Sequence, residues 1–314
     1  MKMKVLHIEE NHPSLIEGLD LLGFQNDLAL DDSLSEILSK IGAYDGLILR
    51  SKFKIDKTFL LHAKNLKFIG RVGAGMENID IQAIKDRDIS LINAPEGNRN
   101  AVGEHCVGML LGLMNNLKAG HESIKGGQWD REGNRGWELS GRTIGIIGYG
   151  NTGKSFAQRI SGFDVTTLCY DILDDIGDKN ALQVSMEELM TKSDIISIHT
   201  PHTAITRGII DYKFIEEMSK PFWLLNTARG SAVITEDLVA GLQTGKIIGA
   251  GLDVLEYETR SFSSIFNDDK LPSALEYLIK AKNVILSPHV GGWTRESHIK
   301  LATTIVEKIK RTLF

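Results

Sequence analysis

Cysteine is nearly absent from this chain. The two cysteines among 314 residues, Cys106 and Cys169, lie far apart inside apolar stretches and form no CxxC pair. That spacing argues against a thiolate metal site and predicts two buried, reduced thiols, so no metal is expected. Long apolar runs are also missing. None approaches the roughly 20 residues that a membrane-crossing helix requires, and no membrane association is expected. The N-terminal stretch MKMKVLHIEE turns acidic after a few apolar residues and has no signal-peptide core, which predicts a cytoplasmic protein. Positive charge is in short supply: 36 Lys and Arg face 41 Asp and Glu, for a net charge of -5. The two signs are interspersed, so there is no basic field to hold a nucleic-acid backbone.

What the chain does have is the composition of an ordinary globular protein, with 42% hydrophobic and 25% charged residues. Its length suits two domains, since single cores rarely grow past roughly 250–300 residues. Apolar runs of strand length alternate with segments of helical period, the pattern of a parallel α/β sheet. In the first third, strands are expected at Lys4–Ile8, Gly46–Leu49, Phe68–Val72 and Ser90–Asn93, with a helix at Leu34–Ile41. Asn98–Leu117 reads as one long helix whose inner face is Val102, Cys106, Met109, Leu110 and Leu113. The stretch Lys118–Ser140 breaks this rhythm. It is rich in Gly and charge, carries Trp129 and Trp137, and reads as a loop that contacts a second subunit, so a homodimer is expected. From Thr143 the alternation returns, with strands expected at Thr143–Ile147, Val165–Tyr170, Ile195–His199, Trp223–Asn226, Ile248–Leu252 and Val284–Ser287, and a closing helix over Arg295–Lys310.

Gly148-Tyr149-Gly150-Asn151-Thr152-Gly153 is a G-x-G-x-x-G. The pattern alone is weak in a chain with 31 glycines, but here it follows an apolar strand and opens an amphipathic helix. Gly148 permits the tight turn, Gly150 lets backbone reach a pyrophosphate, and Gly153 brings helix and strand together. The next strand ends at Asp171, 18 residues beyond Gly153. A carboxylate there accepts from ribose hydroxyls and repels a 2′-phosphate, which favours NAD over NADP.

Three further motifs stand at strand ends, where open α/β sheets place their ligands. In Asn226-Thr227-Ala228-Arg229-Gly230 the arginine sits between small residues, and its planar fork suits a carboxylate and a neighbouring carbonyl; the plainer reading is a surface Arg at a turn. In Gly251-Leu252-Asp253-Val254-Leu255-Glu256-Tyr257-Glu258, Asp253 ends a strand, and a structural capping role competes with a functional one. In Ser287-Pro288-His289-Val290-Gly291-Gly292 the imidazole is flanked by Pro and a Gly pair, and a carboxylate such as Glu258 beside it stabilises the protonated form needed to donate to a ketone oxygen. His7, His12, His62, His105, His121, His202 and His298 lack such settings and are read as structural or surface residues.

The series GYGNTG, Asp171, HTPHTAITRG, NTARGS, GLDVLEYE and SPHVGGWT, preceded by RVGAGMENID and NAPEGNRNAVGEH, resembles the D-isomer-specific 2-hydroxyacid dehydrogenase family over nearly the whole chain. The resemblance implies an α/β fold of two domains: a flavodoxin-like substrate domain built from residues 1–96 and 291–314, with a Rossmann-type NAD-binding domain, residues 97–290, inserted between. It implies Arg229 as substrate anchor, His289 as general acid/base and Glu258 as its carboxylate partner. It also implies a cofactor site of Gly148 through Gly153, Asp171, His199, Thr200, Pro201, Thr206, Thr227, Ala228, Asp253, Gly291 and Gly292. Substrate contacts fall to Arg50, Ser51, Lys52 and the backbone of Gly73, Ala74 and Gly75, and closure is expected on a hinge near Asn93–Pro95 and His289–Gly292. One departure is that the family shows Glu-Pro where Glu258 is followed by Thr259 and an insertion-like stretch, which leaves Glu256 as a rival partner.

Within the family, NAPEGNRNAVGEH and GGQWDR look most like phosphoglycerate dehydrogenases, so the implied substrate pair is 3-phosphoglycerate and phosphohydroxypyruvate, in serine biosynthesis. Arg50, Lys52 and Lys54, with Arg131 or Arg135 of a second subunit, are the candidate phosphate cations. The chain stops at its closing helix, so no regulatory domain and no serine feedback through one are expected. Two alternatives are a glyoxylate/hydroxypyruvate reductase or D-lactate dehydrogenase and, in another class, an NAD-sensing corepressor-like protein.

Overall fold

The structure, a computed structural model, describes residues 2–258 and 270–314. These fall into two compact units: residues up to Asn98 together with Trp293–Phe314, and Arg99–Gly292. The stretch that begins at Thr259 lies, through residue 269, outside the described residues.

The first unit is built on a parallel sheet of β1 (Lys4–His7), β2 (Gln25–Leu28), β3 (Gly46–Leu49), β4 (Phe68–Arg71) and β5 (Ser90–Asn93), in the order β2-β1-β3-β4-β5. Helices α1 (Ser14–Leu21), α2 (Leu34–Lys40), α3 (Lys57–His62), α4 (Ile81–Lys85) and, from the far end of the chain, α12 (Arg295–Leu313) belong with it. Successive side chains of a strand point to opposite faces, and β3 shows why it is apolar throughout. Leu47 and Leu49 join one core with Ile37, Phe59 and Ile84, while Ile48 joins another with Leu15, Leu301 and Ile305. A strand covered on both faces reads as an unbroken hydrophobic run. β2 is different: Gln25-Asn26-Asp27-Leu28 has no apolar signature and is held by backbone pairing to β1 at the sheet edge.

α5 (Pro95–Met114) starts three residues before the expected Asn98, because proline is well suited to a first helical position, where no N–H is needed. It stops before Asn116, whose left-handed φ of 51° separates it from a second helix, α6 (Leu117–Lys125), inside the stretch read as loop. α6 has no buried residue.

The second unit carries β6 (Thr143–Ile147), β7 (Thr166–Tyr170), β8 (Leu182–Gln183), β9 (Ile195–Ile198), β10 (Phe222–Asn226), β11 (Ile247–Leu252) and β12 (Val284–Leu286). They form a parallel sheet in the order β12-β11-β10-β9-β6-β7-β8, the arrangement of a Rossmann-type domain. α7 (Asn151–Ile160), α8 (Met186–Lys192), α9 (Tyr212–Glu217), α10 (Thr235–Thr244) and α11 (Ser273–Lys280) complete it. β10 again divides its side chains, with Phe222 and Leu224 in one core and Trp223 and Leu225 in the other. Strand order reverses between β6 and β9, so the crevice at their carboxyl ends is the topological place for a ligand. No helix among the described residues is long and apolar enough to cross a membrane.

Candidate active site

The G-x-G-x-x-G loop occupies that crevice, between β6 and α7. Gly148 has φ 89°, and a β-carbon on it would stand 2.9 Å from His199 C and from Thr200 N and Cγ2. Gly153 is equally constrained, since its β-carbon would meet the Gly148 carbonyl oxygen at 2.3 Å. Gly150, by contrast, faces open space and caps α7 without any side-chain acceptor, which leaves first-turn N–H groups of Asn151, Thr152 and Gly153 for an anion. Beside this loop the buried Thr200 Oγ1 has no partner among the described residues. An exposed helix N-terminus, an open glycine and an orphaned hydroxyl are what a dinucleotide pyrophosphate would complete.

Some residues expected to face the cofactor are used differently. The Tyr149 ring is buried in the core and its hydroxyl donates to Asp178 at 2.8 Å. Its backbone N–H donates to Asp171 Oδ2 at 2.7 Å, so neither group of Tyr149 points at a ligand. Asp171 also accepts from Leu173 N at 3.1 Å and stands at the carboxyl end of β7. The His199 ring turns inward, where it stacks on Phe156 with centroids 5.6 Å apart and bonds Ser197 Oγ at 2.9 Å and Thr152 Oγ1 at 3.2 Å. Burial lowers its pKa to about 3 and keeps it neutral. It therefore braces the glycine loop through Thr152. Thr206 closes the loop after Pro201, donating to Pro201 O at 2.6 Å and accepting from Thr203 N at 2.9 Å. Thr227 Oγ1 lies 3.1 Å from Cys106 Sγ, whose thiol is pushed up to about 12 by burial, and Ala228 is buried.

At the carboxyl end of β10, Asn226 shapes the turn that presents Arg229. Its side-chain oxygen accepts from Ala228 N at 3.1 Å and its side-chain nitrogen donates to Arg229 O at 2.9 Å. The half-buried Arg229 donates to Ala228 O at 2.6 Å. Gly230 has to be glycine, since a β-carbon would stand 2.0 Å from the Leu255 carbonyl oxygen. The arginine turn is thereby pressed against the turn Leu255–Glu258. In that second turn Glu258 folds back on itself: Oε1 accepts from Leu255 N at 2.6 Å and Oε2 stands 2.7 Å from His289 Nδ1. With a carboxylate as acceptor, Nδ1 carries a proton, and Nε2 is the ring nitrogen whose protonation can change in acid–base work. Glu256 caps the start of α10, accepting from Thr235 N at 3.0 Å and Thr235 Oγ1 at 2.8 Å, and so is engaged away from His289.

Asp253 is 1% exposed and acts as the buttress under His289. Its carboxylate accepts from Ser287 Oγ at 2.6 Å, Val290 N at 2.9 Å and Gly291 N at 2.8 Å. Burial by itself would raise its pKa, but the neighbouring imidazole of His105 and hydrogen bonds from Ser287, Gly291 and Val290 outweigh it and hold the carboxyl below its ordinary range. The capping role, the competing view of this residue, is what the geometry displays, and the Gly291 N–H is spent on it. Among the described residues no group of three His, Cys, Asp or Glu side chains is arranged to hold a metal ion.

In the first unit, the candidate substrate loop after β3 is organised around Glu9. One oxygen of Glu9 accepts from the backbone N–H groups of Arg50, Ser51 and Lys52 at 2.5, 2.7 and 3.0 Å. The Lys52 ammonium donates to the carbonyls of Leu30 and Asp32, and the Arg50 guanidinium lies 4.3 Å over the Trp293 ring. Lys52 thus ties this loop to the segment that holds Leu30 and Asp32. After β4, Gly73 has φ 155°, and Asn93 Nδ2 donates to Ala74 O at 2.9 Å, which pins the Gly73–Gly75 loop.

Residues 107–291 match the family described as D-isomer specific 2-hydroxyacid dehydrogenase, NAD binding domain, which is more than half the chain. The chain belongs to this family. It is 34% identical to a hydroxypyruvate reductase of Thermotoga maritima over 98% of both chains. It is also 33% identical to a D-3-phosphoglycerate dehydrogenase of Archaeoglobus fulgidus, covering 98% of this chain and 56% of that protein. The chain therefore spans little more than half the length of that relative. Among solved structures, a D-lactate dehydrogenase of Aquifex aeolicus complexed with NAD and lactic acid superposes with a TM-score of 0.83 at 26% identity, over 99% and 95% of the two chains. This dehydrogenase family's α/β fold, with a Rossmann domain for NAD(H), is the fold of the present chain.

Two members of the site were not foreseen: His105 and Ser287, which meet Asp253. In the sequence Ser287 stands out only as a neighbour of His289. His105 sits in the run Glu104-His105-Cys106 on a helix whose period marks an inner apolar face, and nothing local separates it from a core histidine.

Proposed function

We propose that the chain is an NAD-dependent oxidoreductase interconverting a D-2-hydroxy acid and its 2-keto acid. The observation that carries this reading is the His289–Glu258 pair at 2.7 Å, with Glu258 held by its own turn and the Arg229 turn packed against it. Bound NADH supplies the hydride that reduces C2. Arg229 binds the substrate carboxylate and polarises the carbonyl through its planar fork. His289 Nε2 donates a proton to the carbonyl oxygen, while Glu258 holds Nδ1–H and stabilises the imidazolium. In the oxidative direction neutral His289 takes the hydroxyl proton. The same reading gives Arg50, Ser51 and the Gly73–Gly75 backbone to the substrate, on family resemblance.

For the substrate, the first reading is 3-phosphoglycerate and phosphohydroxypyruvate, supported by motif likeness and by the phosphoglycerate dehydrogenase relative. A second reading, hydroxypyruvate, is favoured by the engagement of Lys52 with two carbonyls, which removes one expected phosphate cation. We assign the likeness of GGQWDR, with Trp129 82% exposed and α6 bare, to a homodimer surface.

Arg229→Ala is the direct test of the anchor. Turnover of the keto acid should fall by roughly 10²–10³-fold, the usual cost of one charge-stabilising donor, while NADH affinity read by fluorescence stays near that of the parent. Equal loss of both would make the arginine structural.

A further inference from the structure

His105 lies on α5 with Nε2 2.9 Å from Ser287 Oγ and 3.4 Å from Asp253 Oδ1. The edge of its ring passes beneath Gly291, where a β-carbon would stand 3.3 Å from Cδ2. Valence fixes the protons in this cluster. Ser287 Oγ is 2.6 Å from the Asp253 carboxylate, which can only accept, so the single hydroxyl hydrogen points to Asp253. Toward His105 the hydroxyl can then only accept, and the hydrogen in that contact sits on His105 Nε2.

This chain of donors ends in the turn that bears His289. His289 has φ 56°, a left-handed conformation that non-glycine residues rarely adopt, because the β-carbon crowds the carbonyl oxygen. Such a conformation persists only where its surroundings over-determine it. Here the His289 N–H reaches Asp253 O at 2.8 Å and Ser287 O at 3.0 Å. The Asp253 carboxylate holds the next two N–H groups, Val290 at 2.9 Å and Gly291 at 2.8 Å. On the other flank of the turn, the Ser287 hydroxyl is its contact with that carboxylate.

We propose that His105 is a positioning residue: its Nε2–H donates to Ser287 Oγ, keeps the Ser287 hydroxyl on Asp253, and so fixes the strained turn that aims His289 Nε2. The inference rests on the reading of His289 as the acid–base group. His105 touches neither substrate nor cofactor in this role. Leucine at position 105 keeps apolar bulk and removes the donor, whereas glutamine restores a donor nitrogen near the place of Nε2.

The test compares His105→Leu and His105→Gln with the parent enzyme in keto-acid turnover, NADH affinity and the ¹⁵N-imidazole spectrum of His289. For His105→Leu, kcat should fall about 10- to 100-fold, as misplacement of a reacting group does, with KM and NADH affinity little changed. The His289 Nδ1–H signal, sharp in the parent, should broaden; His105→Gln should recover most of kcat and the sharp signal. Unchanged kcat and spectrum in His105→Leu overturn the proposal, as does parallel loss of kcat, KM and NADH affinity without rescue by glutamine. If the parent reduces no keto acid while the His289 signal still responds to His105→Leu and recovers in His105→Gln, the positioning stands and the dehydrogenase reading fails.

Discussion

His199 shows how a residue can matter to the site without facing it. Its imidazole is buried, bonded to Thr152 and Ser197, and has its pKa lowered to about 3 by desolvation. The folded chain therefore refuses a proton that the unfolded chain accepts near the ordinary value of 6.5. Below that value the unfolded state binds more protons, so this residue makes stability fall as pH drops from 6.5 toward 3 and contributes nothing to the pH dependence above 6.5. His199→Gln should flatten the dependence of unfolding free energy on pH across that window relative to the parent, measured by denaturant titration. Identical slopes would contradict a neutral, buried His199. At this scale the sequence was legible where local punctuation exposes a side chain: Arg229 between Ala228 and Gly230, and His289 between Pro288 and Val290-Gly291. It was not legible where a partner comes from far along the chain. His105 meets Ser287 across 182 positions, and Tyr149 meets Asp178 across 29, past a helix and a strand, a pairing the motif says nothing about.

Elements are legible in proportion to what they bury. β3 and β10 are apolar because both faces are covered, and their unbroken apolar runs announce them. β2, with Gln25, Asn26 and Asp27, is an edge strand created by pairing with β1 and carries no such signal. α6 escapes for a related reason. None of its residues is buried, and its apolar side chains, Leu117 and Ile124, stand exposed together with the following Trp129. Apolar side chains standing together in solvent on one helix are the kind of surface a partner covers. On the homodimer assignment, the double variant Ile124→Glu with Trp129→Glu should sediment as a monomer at concentrations where the parent is dimeric, with its far-UV spectrum unchanged. A parent that is itself monomeric would remove that assignment.

At the scale of the whole molecule, the sequence yields two sheets of different strand order, one flavodoxin-like and one Rossmann-type, with the helix α5 running from residues of the first unit into the second. The proposed acid–base pair, its proposed anchor and the Asp253 buttress all come from loops at carboxyl ends of β10, β11 and β12, where such sheets place their chemistry. Family membership follows from sequence. Substrate choice does not: the candidate substrate loop Arg50–Lys52 carries charges whose partners come from elsewhere in the chain, as Lys52 does in bonding the carbonyls of Leu30 and Asp32. The measurement that bears most directly on the account is NADH oxidation with phosphohydroxypyruvate, hydroxypyruvate, glyoxylate, pyruvate and 2-oxoglutarate, run on the parent and on His289→Gln. Turnover of at least one of these acids by the parent is expected, highest for phosphohydroxypyruvate or hydroxypyruvate, with a loss of about 10²–10⁴-fold in kcat for His289→Gln. Tight NADH binding with no turnover of any of the five, or full activity in His289→Gln, would contradict it.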